Sequence, residues 1–270
     1  MAMHDPKGVE VIQVINELSP DHPLFDQELS FSNFVDCALN HAAWTTAQTN
    51  ADGLALVVTD KGLALRNLAQ PGYSDISVDF LSPALAYRQA KGGGKSELLA
   101  KAIGVKSATD YQVIDATAGL GTDAFVMASV GCHVTMLERS PIVSALLYDA
   151  LERLHDSDVA DSWKSRLKLQ RGDSVALLSQ WSSKSAQPDA IYLDPMFPHR
   201  KKSAMVKKEM QALQSLLGVD PDADALLAPA LVLAKKRVVV KRPASAPYLA
   251  ERKPNMSMSS KKHRFDIYLK

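Results

Sequence analysis

The apolar positions change their rhythm near residue 110. Before it, short alternating runs dominate. Leu54, Leu56 and Val58 fall on one side of an extended segment, Asp60-Lys61-Gly62 supplies a turn, and Leu63 and Leu65 alternate again, which predicts a hairpin. Ile76, Val78 and Phe80 predict a further strand, residues 9–14 a short one, and residues 34–44 a helix. Residues 1–82 therefore read as a small α+β domain. A glycine-rich bridge, Lys91-Gly-Gly-Gly-Lys-Ser96, then leads into a predicted helix over 97–103. From Tyr111 onward, apolar strand candidates recur at 112–116, 133–138, 167–170, 190–193, 237–241 and 265–269, with helical stretches such as 141–154 and 206–217 between most of them. Repeated strand–helix alternation predicts an α/β domain over 83–270, built on a mostly parallel sheet with helices on both faces.

Composition narrows the class without naming a partner. With 46% hydrophobic and 23% charged residues in 270, the chain can bury a sizeable core without staples. A net charge of +1 does not mark a nucleic-acid binder, so basic residues serving that purpose must be clustered. Cys37 and Cys132 lack metal-type spacing and read as reduced, buried thiols. The polar first ten residues lack the apolar core of a secretion signal, and the longest apolar run, 225–234, is too short to span a bilayer and contains Pro229. A cytoplasmic protein that engages no membrane is expected.

The first chemical signal is Val113-Ile-Asp-Ala-Thr-Ala-Gly-Leu-Gly-Thr-Asp123, an apolar strand running into an acidic residue, a glycine turn and a helix. Gly119 and Gly121 let the backbone pass close to a ligand and adopt positive φ. The helix start beyond them offers N–H donors. About twenty residues on, the second strand ends in Glu138, where a carboxylate can accept both ribose hydroxyls of an adenosine group. The glycines also fit a dinucleotide fingerprint. Asp115 before them suits the amino-acid end of S-adenosylmethionine, and Thr122-Asp123 is poorly suited to a pyrophosphate. After the third strand, Asp173 and Ser174 either meet an adenine or cap a helix. Gly94-Lys-Ser96 lacks the earlier glycine and the leading strand of a phosphate-binding loop.

The second signal follows the fourth strand: Asp194-Pro-Met-Phe-Pro198. It is similar to the [D/N/S]-P-P-[Y/F] signature of amino-group methyltransferases, with Met196 in place of the second proline. An aryl amine is a poor nucleophile because its lone pair is delocalised. The Asp194 carboxylate and the Pro195 carbonyl can accept its two N–H groups and orient it for in-line attack. Phe197 can stack on an unstacked base. No metal or covalent intermediate is required. Arg200, Lys201, Lys202, Lys207 and Lys208 follow at once. Lys235-Lys236-Arg237 with Lys241 and Arg242 form a second basic cluster, expected at the sheet's working edge or next to it. Both clusters read either as an RNA-binding field or as solvated faces.

Taken together, Asp115-Ala-Thr-Ala-Gly-Leu-Gly121, Met136-Leu-Glu-Arg139, Asp194-Pro-Met-Phe-Pro-His199, Lys207-Lys-Glu-Met210 and Val238-Val-Val-Lys-Arg-Pro243 resemble the ribosomal RNA small subunit methyltransferase J family over residues 87–268. The resemblance implies a seven-stranded class I (Rossmann-like) methyltransferase fold. It also implies S-adenosylmethionine as cofactor, 16S rRNA or the small ribosomal subunit as partner, and one methyl placed on guanosine N2. Carried over by position, cofactor contacts fall on Thr122, Asp123, Glu138, Arg139, Asp173, Ser174 and Asp194. The residues alone leave three rivals: a protein-amide (glutamine) methyltransferase, a non-catalytic RNA-binding or assembly protein, and an NAD(P) oxidoreductase.

Overall fold

The computed structural model describes residues 13–17, 53–69, 72, 74–87, 98–105, 110–158, 165–182, 186–196, 222–260 and 263–270. These fall into two compact units, one comprising the described residues up to Asp79 together with Ser140–Asp156, the other the remainder.

The first unit is built on a four-stranded sheet in the order β1 (Gln13–Glu17), β2 (Leu54–Thr59), β3 (Gly62–Asn67) and β4 (Ile76–Ser77). The predicted hairpin is present: β2 and β3 pair antiparallel, with Thr59 opposite Gly62 across Asp60-Lys61. The described first strand spans 13–17 and overlaps the predicted 9–14 at Gln13 and Val14, while residues 9–12 lie outside the described residues; its parallel register aligns Gln13 with Ala55 of β2. Ladder pairing in β4 ends at Ser77, yet Ile76, Val78 and Phe80 are all buried, so the alternation read from sequence records burial beyond the ladder. The helix Pro141–His155 packs against β3 within this unit. Ser140 caps it by accepting from the Val143 N–H, and Pro141 fits its first turn, where no intrahelical donor is needed. The predicted helix over 34–44 and Cys37 lie outside the described residues.

The second unit carries a seven-stranded sheet. Its strands are β5 (Gln112–Asp115), β6 (His133–Glu138), β7 (Leu167–Arg171), β8 (Ala190–Leu193), β9 (Arg237–Pro243), β10 (Met256–Ser259) and β11 (His263–Leu269). The spatial order is β10-β11-β9-β8-β5-β6-β7. All neighbours from β7 to β9 are parallel, while β11 runs antiparallel to β9 and to β10. Both faces of the central parallel strands β5, β6, β8 and β9 are largely buried, as helical crossovers require, while the edge strand β7 exposes Lys168 and Gln170. Ile114, Leu137, Ile191, Leu193, Val238 and Val240 join one core with Leu178, Leu226, Leu227, Ala230 and Leu249. By alternation Val113, Val134, Met136, Tyr192 and Val239 face the opposite way, and they are equally buried. The short helix Leu98–Ile103 packs on β9, and Thr122–Ser129 packs on β6. Strand order reverses between β5 and β8. In open α/β sheets ligands bind at such a switch point, beyond the carboxyl ends of the strands. No helix among the described residues is long and apolar enough to cross a membrane.

Candidate active site

The chain leaves β5 at Asp115, which is 1% exposed. Asp115 Oδ1 accepts the Thr117 N–H at 3.1 Å and so turns the backbone. Two ladder-like bonds extend the strand into the loop: the Ala116 N–H donates to the Tyr192 carbonyl and the Ala118 N–H to the Leu137 carbonyl. Gly119 and Gly121 follow with φ of 52° and 72°, a region costly for residues bearing a Cβ. A Cβ built on Gly119 would have no atom within 4 Å, so the turn opens onto free space. Gly121 then starts the helix Thr122–Ser129. Glu138, at the carboxyl end of β6, is 7% exposed, and its Oε2 accepts the Gly119 N–H at 3.0 Å. One carboxylate therefore fixes the glycine loop from the neighbouring strand.

Across the switch point, Asp194 follows β8. Its backbone N–H donates to Thr117 Oγ1 at 2.6 Å, which ties the start of the Asp194-Pro195 segment to the glycine loop. Its Oδ2 accepts from Lys241 Nζ at 2.8 Å, and the same ammonium donates to Asp123 Oδ2 at 2.8 Å. The Tyr192 hydroxyl, inside β8, donates to that same Asp123 oxygen at 2.7 Å. Pro195 is buried and Met196 half-buried. Phe197 lies outside the described residues.

This cluster is electrostatically coupled. Burial pushes the Asp115 carboxyl well above the usual carboxylate range, and Asp123 pushes it the same way. Burial also raises Asp194, with Lys241 pulling against it and Asp123 adding to it. Burial opposes the charge on Lys241, but Asp194 and Asp123 hold its ammonium above the ordinary value. Tyr192 stays a neutral donor, because burial and the nearby Asp194 and Asp123 all raise it.

The remaining predicted residues take varied positions. Asp173 caps the helix Ser174–Ser179, its Oδ1 accepting the Ala176 N–H at 2.8 Å, and Ser174 is buried in the first turn. Arg139 makes a two-oxygen ion pair with Asp222, both contacts at 3.0 Å. Thr122 is exposed at the helix start. Arg242 is 5% exposed and donates from Nε to the Pro247 carbonyl. Arg200, Lys201, Lys202, Lys207 and Lys208 lie outside the described residues. One expectation needs correcting. Lys235, Lys236 and Arg237 are not beside the site, since Arg237 pairs with Ala190 at the amino end of β8. Four residues of extended strand, about 13 Å, separate Arg237 from Lys241. Lys236 instead pairs with Asp189 at 2.9 Å, and Arg237 donates to the Ala102 carbonyl. Sequence reasoning missed Thr117 and Tyr192, whose roles depend on the β5–β8 register; the one visible signal was a hydroxyl residue inside each flanking motif.

The donor set fits S-adenosylmethionine. A buried carboxylate ends β6 where a ribose would sit, the glycine loop opens onto free space, and Asp123 and Asp194 share the single cation Lys241, which leaves that end of the sheet with an excess of carboxylate over ammonium that suits a sulfonium. Comparison with known proteins agrees. Residues 40–270 match the model of a SAM-dependent methyltransferase family. The chain is 56% identical over 220 residues to ribosomal RNA small subunit methyltransferase J of Pseudoalteromonas atlantica, covering 80% of this chain and 85% of that one. It is 51% identical over 223 residues to the protein of the same name from Aeromonas hydrophila, covering 82% and 89%. The crystal structure of a SAM-dependent methyltransferase from Neisseria gonorrhoeae superposes with a TM-score of 0.67 at 31% identity, covering 95% of this chain and 96% of that one. The α/β reading and the cofactor expectation therefore hold, and the chain belongs to the ribosomal RNA small subunit methyltransferase J family of S-adenosylmethionine-dependent methyltransferases.

Proposed function

We propose that this enzyme methylates the N2 exocyclic amine of a guanosine in 16S ribosomal RNA, acting in the cytoplasm on the free RNA or on the small ribosomal subunit. The observation that carries the reading is the placement of Asp194. It stands across the switch point from the glycine loop, with its N–H fixed by Thr117 and its carboxylate fixed by Lys241. An acceptor held this way suits an amine whose lone pair must be turned out of conjugation. S-adenosylmethionine supplies an electrophilic methyl group when bound. Asp115, Gly119, Gly121, Thr122, Asp123, Glu138, Arg139, Asp173, Ser174 and Asp194 are the residues proposed to hold it. Asp194 and Pro195 orient the amine, and Phe197 stacks on the base. Arg200, Lys201, Lys202, Lys207 and Lys208 supply the field for phosphate. The relatives' name supports an RNA of the small subunit as the substrate.

The test is mass mapping of 16S rRNA from a strain lacking this gene, with and without complementation by this chain. One added methyl on a guanosine base is expected on complementation. Identical maps, or a methyl confined to another base, overturn the reading.

A further inference from the structure

Lys241 occupies the centre of the acidic cluster, on β9 one residue beyond the register pair Leu193 and Val240. A basic side chain beside a nucleic-acid site reads first as a phosphate contact. Its surroundings point elsewhere. An ammonium has three donors, and two of these are given to Asp123 Oδ2 and Asp194 Oδ2 at 2.8 Å each. Three quarters of the side chain's surface is covered, with 25% exposed. We infer that Lys241 is a positioning residue for methyl transfer: it ties the carboxylate of Asp194 to Asp123 and thereby fixes the oxygen that meets the target amine.

Asp123 is the anchor of this arrangement. Its Oδ2 takes both the Tyr192 hydroxyl at 2.7 Å and the Lys241 ammonium, and its backbone sits in the first turn of a helix, where a carboxylate is favoured. Asp194 has the more open side chain, 37% exposed. It faces Lys241 and Arg242 from β9, Asp123 from the helix, and Tyr192 and Asp115 from β8 and β5. Among the described residues, Lys241 is the cation hydrogen-bonded to it. Without that charge, Asp194 and Asp123 confront each other as two carboxylates, and Asp194 takes up a proton at higher pH. A protonated Asp194 presents an O–H donor where the amine needs an acceptor.

This inference rests on Asp194 accepting the amine N–H. The test measures kcat/KM against pH, on 16S rRNA from a strain lacking the gene, for the wild type, Lys241→Met and Lys241→Arg. The acid limb of such a profile reports free-enzyme groups. Lys241→Met is expected to lower kcat at neutral pH by about tenfold or more and to move the acid limb upward by about one pH unit or more, with KM for RNA little changed. Lys241→Arg is expected to return the limb toward its wild-type position. RNA affinity of the Met variant, measured against salt, is expected to match the wild type, which also shows that the variant is folded. If Lys241→Met does not fold, Lys241→Gln carries the same test, since its amide can donate but has no charge. An unmoved acid limb overturns the inference. If the salt dependence also becomes shallower by about one ion, Lys241 is a phosphate contact. If the Met and Arg variants instead lose equal activity, its role is structural. A wild type that adds no methyl to guanosine N2 fails the reading of function itself, a result distinct from either.

Discussion

The two sides of the β5–β8 switch point are built differently. On the β6 side, geometry comes from backbone: positive-φ glycines, a helix start and one carboxylate accepting a glycine N–H. On the β9 side, geometry comes from charged side chains: Asp194, Lys241 and Asp123 tied together, with Tyr192 as a neutral fourth member. Backbone dihedrals carry no titratable group, so in the first half only the one carboxylate can respond to pH. A charge-built half depends on the protonation of its members. The division matches the task. A cofactor is the same in every turnover and can meet a fixed cradle. Under the proposed function, an aryl amine must be oriented and polarised, which calls for a fixed, ionised acceptor.

The sharpest way to break this comparison is Asp194→Ala. It is expected to cost about 100-fold or more in kcat, in the range seen when one preorganised polar group is removed from a catalytic site. The fold should change far less, because Asp194 is partly exposed and its N–H bond to Thr117 does not need its side chain. Turnover within a few-fold of wild type, followed with labelled methyl donor, would remove the acceptor role. The matching test on the other side is Glu138→Ala. Losing a buried carboxylate that orders the loop and can take ribose hydroxyls should weaken cofactor binding by about tenfold to a hundredfold. Calorimetry reads this directly, and an unchanged affinity would show that the loop is set without Glu138.

The two halves were also unequally legible. The backbone-built half is written locally: strand, acidic residue, glycines, helix and a carboxylate about twenty residues on, all at spacings that the sequence carries. The Asp194-Pro195 motif is equally local. The network around it is not. Tyr192 pairs with Asp115 only through the β5–β8 register, and Lys241 reaches Asp194 only because β9 lies next to β8 in a shared direction. Read from sequence, Lys241 belonged to a basic cluster with Lys235 and Arg237; the strand between them sends the two ends of that cluster to opposite ends of the sheet. Among strands, β10 gave no apolar signal. Met256–Ser259 is an edge strand with mostly exposed residues, so no core face marked it, and the seventh strand came from family resemblance alone.

Asp115 tests where the boundary between the halves lies. It ends β5 and orders the loop through the Thr117 N–H, yet it also feels Asp123, Asp194 and Lys241. Burial raises its carboxyl well above the usual range, so the fold favours the protonated form. The sign follows: the stability this group contributes is complete below its unfolded value and is lost as pH rises through the folded one. Asp115→Asn keeps the oxygen that accepts from Thr117 and removes the charge. Its melting temperature should rise relative to wild type at alkaline pH, and the difference should shrink as pH falls toward 4. A difference independent of pH would mean that the fold does not hold Asp115 in its protonated form.

The smallest effect is expected at Asp173, where two readings from sequence can be separated. The structure gives it a helix cap, with Oδ1 accepting the Ala176 N–H at 2.8 Å, on an exposed side chain. Asp173→Ala should therefore cost about 1 kcal/mol of stability, the usual worth of an N-cap. Capping alone leaves cofactor affinity nearly unchanged, whereas a hydrogen bond to the adenine amine adds a loss of affinity of about threefold to tenfold. Asp173→Ser divides the two effects, because serine caps a helix nearly as well but brings a shorter, neutral side chain. If Asp173→Ser restores stability yet still binds cofactor weakly, the cradle extends to the third strand. If it restores both, the cradle ends at Glu138, and the backbone-built half of the site is smaller than the family resemblance implies.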